Sequence, residues 1–510
     1  MPRYAAIDIG SNSIRMEAAE VLPGQPARIL AAEREVTRLG ESVFRTGVVG
    51  EDAIRLTCSV LARMAEIYRK LDLAGVRAVA TSAIRDASNQ EEFVERASRA
   101  AGTHVEVISG REEARLIQLG VQSNWPQTGK RALILDIGGG SAEIIVSEDG
   151  RMSEAFSKPL GAVRLTGIFL KDDPPEQLEL RQMRQYIVEK LSGCVRRAGT
   201  TGWDRAIATS ATALAVASAV ARVPRSRRDG IDRFRVSTAE IRKLYQKLWP
   251  LNVSERRKVT GIGPRRAEII VPGVAVMLEF LNEFHLPALY YSRAGVRDGV
   301  IADLAARNVG RELARLTREQ RREVETIGRR YSVSLEHCRK VADIANLLFT
   351  ALEPLHGLPP SYGKLLEAAA YLLDVGHFVN SASHHKHSYY VVANSDIAGF
   401  TERERILIAS LCRYHRKAMP NPAHGAYQSL GPEERRAALL MIPILRIADN
   451  LDRGPDQRIQ GVECRLRDGV VTLEVRARGQ IDLGQWAAQQ AGEAFLQVYD
   501  RPVLVTAARE

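Results

Sequence analysis

The chain has 510 residues, 45% apolar and 26% charged, and no apolar run reaches the roughly 20 residues that a membrane helix needs. At about 150 residues per domain, this length predicts three or four domains and excludes a small stapled or fibrous protein. Seventy-two Lys and Arg against 61 Asp and Glu leave a net charge of +11, which favours polyanionic partners such as nucleic acid, phosphorylated metabolites or an acidic membrane. The opening MPRYAAIDIG runs into a strand pattern without the features of a signal peptide, so a cytoplasmic protein is expected. Cys58, Cys194, Cys338, Cys412 and Cys464 lie far apart with no CxxC pair, which predicts reduced packing thiols.

The first predicted element is a strand, tight turn and strand over Ala5 to Val21 (AAIDIGSNSIRMEAAEV). Apolar spacing then predicts helix Asp52 to Leu71, strand Val76 to Ala80, helix Gln90 to Ala101 and strand Val105 to Ile108, an α/β alternation. Leu133 to Asp149 (LILDIGGGSAEIIVSED) repeats the first hairpin: Asp8 matches Asp136, Gly10 matches Gly138, and Ser13 matches Ser141. Two similar lobes follow from that repeat. The turn at Glu148-Asp149-Gly150 opens a third strand, Met152 to Phe156. The second lobe continues as helix Pro175 to Ala198, strand Arg205 to Thr209, helices near Ser237 to Trp249 and Pro264 to Phe284, strand Ala288 to Tyr291, and a helix from Gly295. Arg222 to Arg235 (RVPRSRRDGIDRFR) reads as an exposed, solvated basic loop.

A boundary is expected near Gly310. Beyond it come long helical patterns: Leu313 to Arg330, Ser332 to Leu355, Tyr362 to Leu373, Thr401 to Arg413 and Pro432 to Asp449. The end reads as strand, Arg467-Asp468-Gly469 turn, strand, helix Leu483 to Val498 and strand Pro502 to Thr506, a small α+β module. The expected domains are therefore lobe I over 1–126, lobe II over 127–310, a helical domain over 311–450 and the module over 451–510.

The two hairpin turns carry the chemistry. Gly138-Gly139-Gly140-Ser141 and Gly10-Ser11-Asn12-Ser13 present successive backbone NH groups, and glycines let that backbone approach a phosphate with no Cβ in the way. Ser11, Asn12, Ser13 and Ser141 add side-chain donors. Asp8, Asp136 and Glu143 are candidate ligands for Mg²⁺, with Mn²⁺ as a substitute, because phosphoryl transfer needs a cation and Mg²⁺ prefers carboxylate oxygens.

Six motifs together resemble the exopolyphosphatase and guanosine pentaphosphate phosphohydrolase family: DIGSNSIR (8–15), TSAIRDA (81–87), SGREEARLI (109–117), LDIGGGSAE (135–143), ATSATALA (208–215) and SRAGVRDGV (292–300). The resemblance covers essentially the whole chain. It implies an actin-like, duplicated (ribonuclease H-like) α/β core with phosphates held between the lobes, Arg15 and Arg85 among the phosphate-binding residues, and Glu113 as catalytic base. A carboxylate within reach of the attacking water suits that role. Glu112 is assigned instead to charge complementarity in the first turn of its helix. Ala211 stands where the family commonly has glycine, so no role is assigned around Thr209 to Thr212.

The helical domain resembles an HD phosphohydrolase through His337, Asp374 and Asp449, but residue 373 is Leu where a His-Asp doublet is wanted. A relic scaffold with a degenerate metal site is expected. Eight of the ten histidines lie between His337 and His424 at irregular spacing, read as a solvated or substrate-facing cluster. Lys386, Arg413, Arg416 and Lys417 extend this into a possible basic track. The expected activity is release of orthophosphate from inorganic polyphosphate. The nearest alternative is hydrolysis of guanosine pentaphosphate to the tetraphosphate, followed by phosphotransfer to ADP and by a non-catalytic alarmone or polyphosphate sensor. A homodimer is expected, with no nucleic acid and no membrane as partner.

Overall fold

The computed structural model describes all residues except 23–26, 308–313, 453–458, 468, 478–491 and 508–510. They form two compact units, Met1–Ala306 and Arg307–Glu510. No helix among the described residues is long and apolar enough to cross a membrane.

The first unit is built on two sheets. One has five strands in the order β3-β2-β1-β4-β5: β1 (Arg3–Ile9), β2 (Ile14–Glu20), β3 (Arg28–Glu35), β4 (Gly75–Ala80) and β5 (Val105–Val107). The other has six in the order β10-β11-β9-β6-β7-β8: β6 (Arg131–Ile137), β7 (Ala142–Glu148), β8 (Arg151–Lys158), β9 (Arg205–Thr209), β10 (Arg235–Ser237) and β11 (Ala288–Tyr291). In each sheet the central strand pairs antiparallel with its hairpin partner and parallel with a later strand, β4 or β9. The sequence repeat is thus a repeat of topology, and the expected actin-like, two-lobed α/β core is present. Burial explains the apolar runs, since Tyr4, Ala5, Ala6 and Ile7 are all fully covered, as a central strand with both faces packed requires.

The differences from the sequence reading are local. Strands β3 and β10 and the helix Leu39–Thr46 were not foreseen. The helix predicted from Pro264 starts at Ile270, because residues 263–269 close turns through Arg266 N–H to Gly263 O and Ile269 N–H to Arg266 O. The loop at Arg222–Arg235 contains a 3₁₀ stretch, Arg225–Ile231, and strand β10 begins at its last residue.

Helix Gly110–Asn124 and helix Val296–Arg307 approach each other through glycines. A Cβ at Gly120 would lie 2.2 Å from the Gly295 carbonyl oxygen, and one at Gly299 would lie 1.7 Å from that of Leu116. Backbone cannot yield as a flexible side chain can, so Gly299→Ala is expected to force the helices apart. The expected loss is about 1–3 kcal/mol, read as a lower melting temperature.

The second unit is helical: Arg318–Arg330, Leu335–Ala351, Ser361–Leu372, His384–Ala393, Glu402–Tyr414 and Pro432–Leu451 share one apolar core. The helix predicted over Ser332 to Leu355 ends at Ala351, and a separate turn of helix, Glu353–His356, follows with Pro354 in its first turn. A sheet of β12 (Ile459–Arg467), β13 (Val470–Ala477) and β14 (Val503–Ala507) packs on the same core. Gly310, Leu313, Asp468 and residues 483–491 of the predicted C-terminal helix lie outside the described residues; residues 492–499 are helical.

Candidate active site

The β1–β2 and β6–β7 turns are closed alike, by Gly10 N–H to Ser13 O (3.2 Å) and Gly138 N–H to Ser141 O (2.9 Å). They meet face to face. A Cβ at Gly139 would stand 2.9 Å from Ser11 Cβ, and one at Gly140 would stand 2.3 Å from Phe44 Cζ and 2.9 Å from Ser11 Oγ. The space that these two glycines leave is therefore filled by the facing lobe; close approach to a phosphate is not the only demand on them. Arg164 ties the second turn down, donating from Nε to Gly140 O (2.7 Å) and from Nη2 to Ser82 Oγ (3.2 Å).

A cavity of about 260 Å³ opens between the turns. Ser11, Asn12, Ser13, Gly138, Gly139, Gly140 and Ser141 line it, together with Asp8, Arg15, Glu113 and Asp136. Two expected residues do not. Arg85 donates from Nη1 to the Ile108 carbonyl (2.6 Å) and lies 3.4 Å from Glu113 Oε2, so it is placed to hold the glutamate rather than as a direct phosphate clamp. Glu143 is fully buried behind the cavity, where Oε1 accepts from Ser157 Oγ (2.8 Å).

The carboxylates are short of positive charge. Burial and then the Glu143 charge push the Asp136 carboxyl up to about 7. Burial, again followed by Glu143, holds Glu113 well above the usual carboxylate range, with Arg85 opposing. Glu143 is raised by burial too, and its Oε2 is buried with no hydrogen-bond partner. Asp8 is raised by burial but is offset by Arg15, its cross-strand partner, and by Arg297. A divalent ion fits on these grounds, with Asp136 and Glu143 as the pair that wants it most. Asp8, Asp136 and Glu143 do not form a closed three-ligand set, because no three of the cavity's acids bring ligand atoms within 4.8 Å of one another.

Glu112 differs from its neighbour. Rather than merely decorating the helix start, it joins a buried network in which Arg77 reaches Glu106, Glu112 and Asp303 (3.0–3.1 Å) and Arg115 reaches Glu112 (2.7 Å) and Asp303 (2.9 Å). The arginines hold Glu112 below the usual range against the cost of burial. Ser109 caps the same helix, its Oγ accepting from Glu112 N–H, so Glu113 is presented from a fixed first turn.

Sequence reasoning missed several lining residues: Arg34, Arg266, Arg293 and Arg297. Arg293 and Arg297 both lie in SRAGVRDGV and were signalled by that motif. Ser210 and Ala211 also line the cavity, and Ser210 has φ +95°, a strained conformation for a residue with a side chain. A second cavity of about 420 Å³ shares Asn12, Arg34, Ala211, Leu214 and Arg266 with the first and adds Arg225, Arg228 and Arg265. Arg225 and Arg228 therefore do more than decorate a solvated loop.

A model of the Ppx/GppA phosphatase family matches residues 18–308, and a model of that family's domain III matches residues 319–481. The crystal structure of an Aquifex aeolicus family member is 30% identical with a TM-score of 0.54, covering 61% of this chain and 99% of that one. An exopolyphosphatase-like protein is 28% identical (TM-score 0.56; 59% and 97%), and an exopolyphosphatase from Cytophaga hutchinsonii is 25% identical (TM-score 0.55; 60% and 98%). With that family's models matching residues 18–308 and 319–481, the chain belongs to the Ppx/GppA phosphatase family.

Proposed function

We propose that this phosphatase is an exopolyphosphatase, removing orthophosphate from the end of inorganic polyphosphate. The supporting observation is the run of arginines leading away from the turns: Arg34 and Arg266 in both cavities, then Arg225, Arg228 and Arg265 in the second. Burial and neighbouring arginines push Arg34 down to about 10 and Arg266 down to about 9. Arg34 and Arg266 thus face like charges, and a chain of phosphates supplies one anion per residue.

In this reading the turn NH groups, Ser11, Asn12, Ser13 and Ser141 hold the terminal phosphates, with Arg15 beside them. Glu113, steadied by Arg85, orients a water and takes its proton as the oxygen attacks the terminal phosphorus. The bond to the bridging oxygen breaks, leaving orthophosphate and a chain shorter by one. Mg²⁺ held by Asp136 and Glu143, and replaceable by Mn²⁺, would offset charge on the terminal phosphates. Glu113 must be ionised to act, so activity is lost as pH falls through its raised pKa.

A second reading, hydrolysis of guanosine pentaphosphate, draws on Leu214, Ala215 and Pro264, apolar groups in the second cavity that a linear polyphosphate leaves unused. Arg228→Ala separates the two. Its KM for long polyphosphate is expected to rise about tenfold or more, the worth of one charge-assisted hydrogen bond, with little change for tripolyphosphate. An increase confined to guanosine pentaphosphate would favour the nucleotide.

A further inference from the structure

The helical unit contains a cluster of histidines and aspartates that the phosphate chemistry does not use. Asp374, just past helix Ser361–Leu372, turns its two oxygens to different partners. Oδ2 lies 3.9 Å from His337 Nε2, and Oδ1 lies 3.5 Å from Nε2 of both His377 and His384. Asp449 Oδ1 lies 3.7 Å from His337 Nε2. Within each triad, His337–Asp374–Asp449 and Asp374–His377–His384, the ligand atoms all fall within 4.8 Å of one another. These spacings are long for hydrogen bonds, whereas donors bound to one ion at about 2.0–2.2 Å stand roughly 3–4 Å apart.

The ring orientation at His337 suits a metal, whereas the His377 and His384 rings are stacked with centroids 3.7 Å apart, so the exposed His377 must turn for both Nε2 lone pairs to meet one ion. His337 Nδ1 lies 2.8 Å from Asp452 Oδ2, His384 Nδ1 lies 3.1 Å from Ser381 O, and His415 Nδ1 lies 2.7 Å from Cys412 O. A proton on each Nδ1, donated to that oxygen, leaves Nε2 as a lone pair facing the cluster, which is how a second group outside the site fixes a metal-binding histidine. The His384 and His415 Nε2 atoms then face each other at 3.2 Å, which requires a cation or a proton. The surroundings are tightly built: His384, His415, Asp449 and Asp452 are each at most 4% exposed, and Asp452 Oδ1 is buried with no partner. Gly376 allows the turn after Asp374 to lie against the next helix, since a Cβ there would stand 2.0 Å from His384 O. His377 is 44% exposed at its side chain and leaves a way in.

We propose that this cluster binds a divalent ion of the Mn²⁺, Fe²⁺ and Zn²⁺ class through His337, Asp374 and Asp449, with Asp374 bridging to a second ion position at His377 and His384. The mixed imidazole and carboxylate donors suit these ions better than Mg²⁺. Leu373 does remove the doublet histidine, but His377 and His384 bring imidazoles to the same aspartate from the following turn and helix. This site stands apart from the polyphosphate reading. A competing arrangement needs no metal: Arg416 Nη1 lies 3.2 Å from His384 Nδ1, and if it donates there, His384 Nε2–H donates to His415 and a proton takes the cation's place.

The test is the metal content of the full-length protein after exposure to Mn²⁺ or Zn²⁺ and desalting, with Co²⁺ substitution read by its visible ligand-field bands. Stoichiometric metal that persists in Asp136→Asn, falls to background in Asp374→Asn and is reduced in His377→Asn supports the site. Loss of the Co²⁺ bands in His337→Gln gives the same answer should Asp374→Asn fail to fold. Metal content equal in wild type and His337→Gln, or abolished by Asp136→Asn alone, would overturn the proposal and leave the proton in place.

Discussion

Glu113→Gln is expected to lower kcat for polyphosphate by about 10²- to 10⁴-fold while leaving the dissociation constant nearly unchanged. The amide keeps the shape of the side chain but cannot accept the water's proton. The Glu113 carboxylate is buried at the first turn of a capped helix, 3.4 Å from Arg85, and burial and the charges of Glu143, Asp8 and Asp136 raise its pKa. The residual activity should also lack the loss toward acid pH that protonation of Glu113 gives the wild type. A variant retaining more than about a tenth of wild-type kcat would remove Glu113 from the role of base.

Arg77→Met should have the largest effect on stability. Arg77 and Arg115 belong to a buried network with Glu106, Glu112 and Asp303, and it joins β4 to the helix carrying Glu113 and to helix Val296–Arg307. Removing Arg77 takes from three buried carboxylates a cation that each of them faces. Breaking one partner out of a buried ion network typically costs about 3–5 kcal/mol, and thermal or urea unfolding would record it. Because the network anchors the start of that helix, kcat should fall as well, through Glu113 rather than through any contact with substrate. A loss below about 1 kcal/mol would show that water or neighbouring groups already screen these charges.

The two facing turns were legible because each is a contiguous stretch whose residue types and strand pattern coincide, so matching Asp8 with Asp136 and Ser13 with Ser141 gave both the lobes and the cleft. Strand β3 was not, since RILAAERE carries charge along a partly exposed edge strand and lacks a clean apolar alternation. The arginines beyond the cleft were hidden for a related reason: Arg34 comes from that edge and Arg266 from a turn, and only the fold brings them together. The same holds for the histidines of the helical unit. His337, Asp374 and Asp449 stood out by resemblance, but His377 and His384 come from the following turn and helix at irregular spacing, and only the fold brings them to Asp374. Leu373 was weighed by its place in a motif, whereas ligation depends on which side chains converge.

The most direct test of the proposed activity is orthophosphate release measured side by side from long polyphosphate and guanosine pentaphosphate, at equal Mg²⁺ and ionic strength. A higher kcat/KM is expected for polyphosphate, with KM rising steeply with salt as for a polyanion spread over several arginines. Preferential hydrolysis of guanosine pentaphosphate, with long polyphosphate turned over no better than tripolyphosphate, would contradict it.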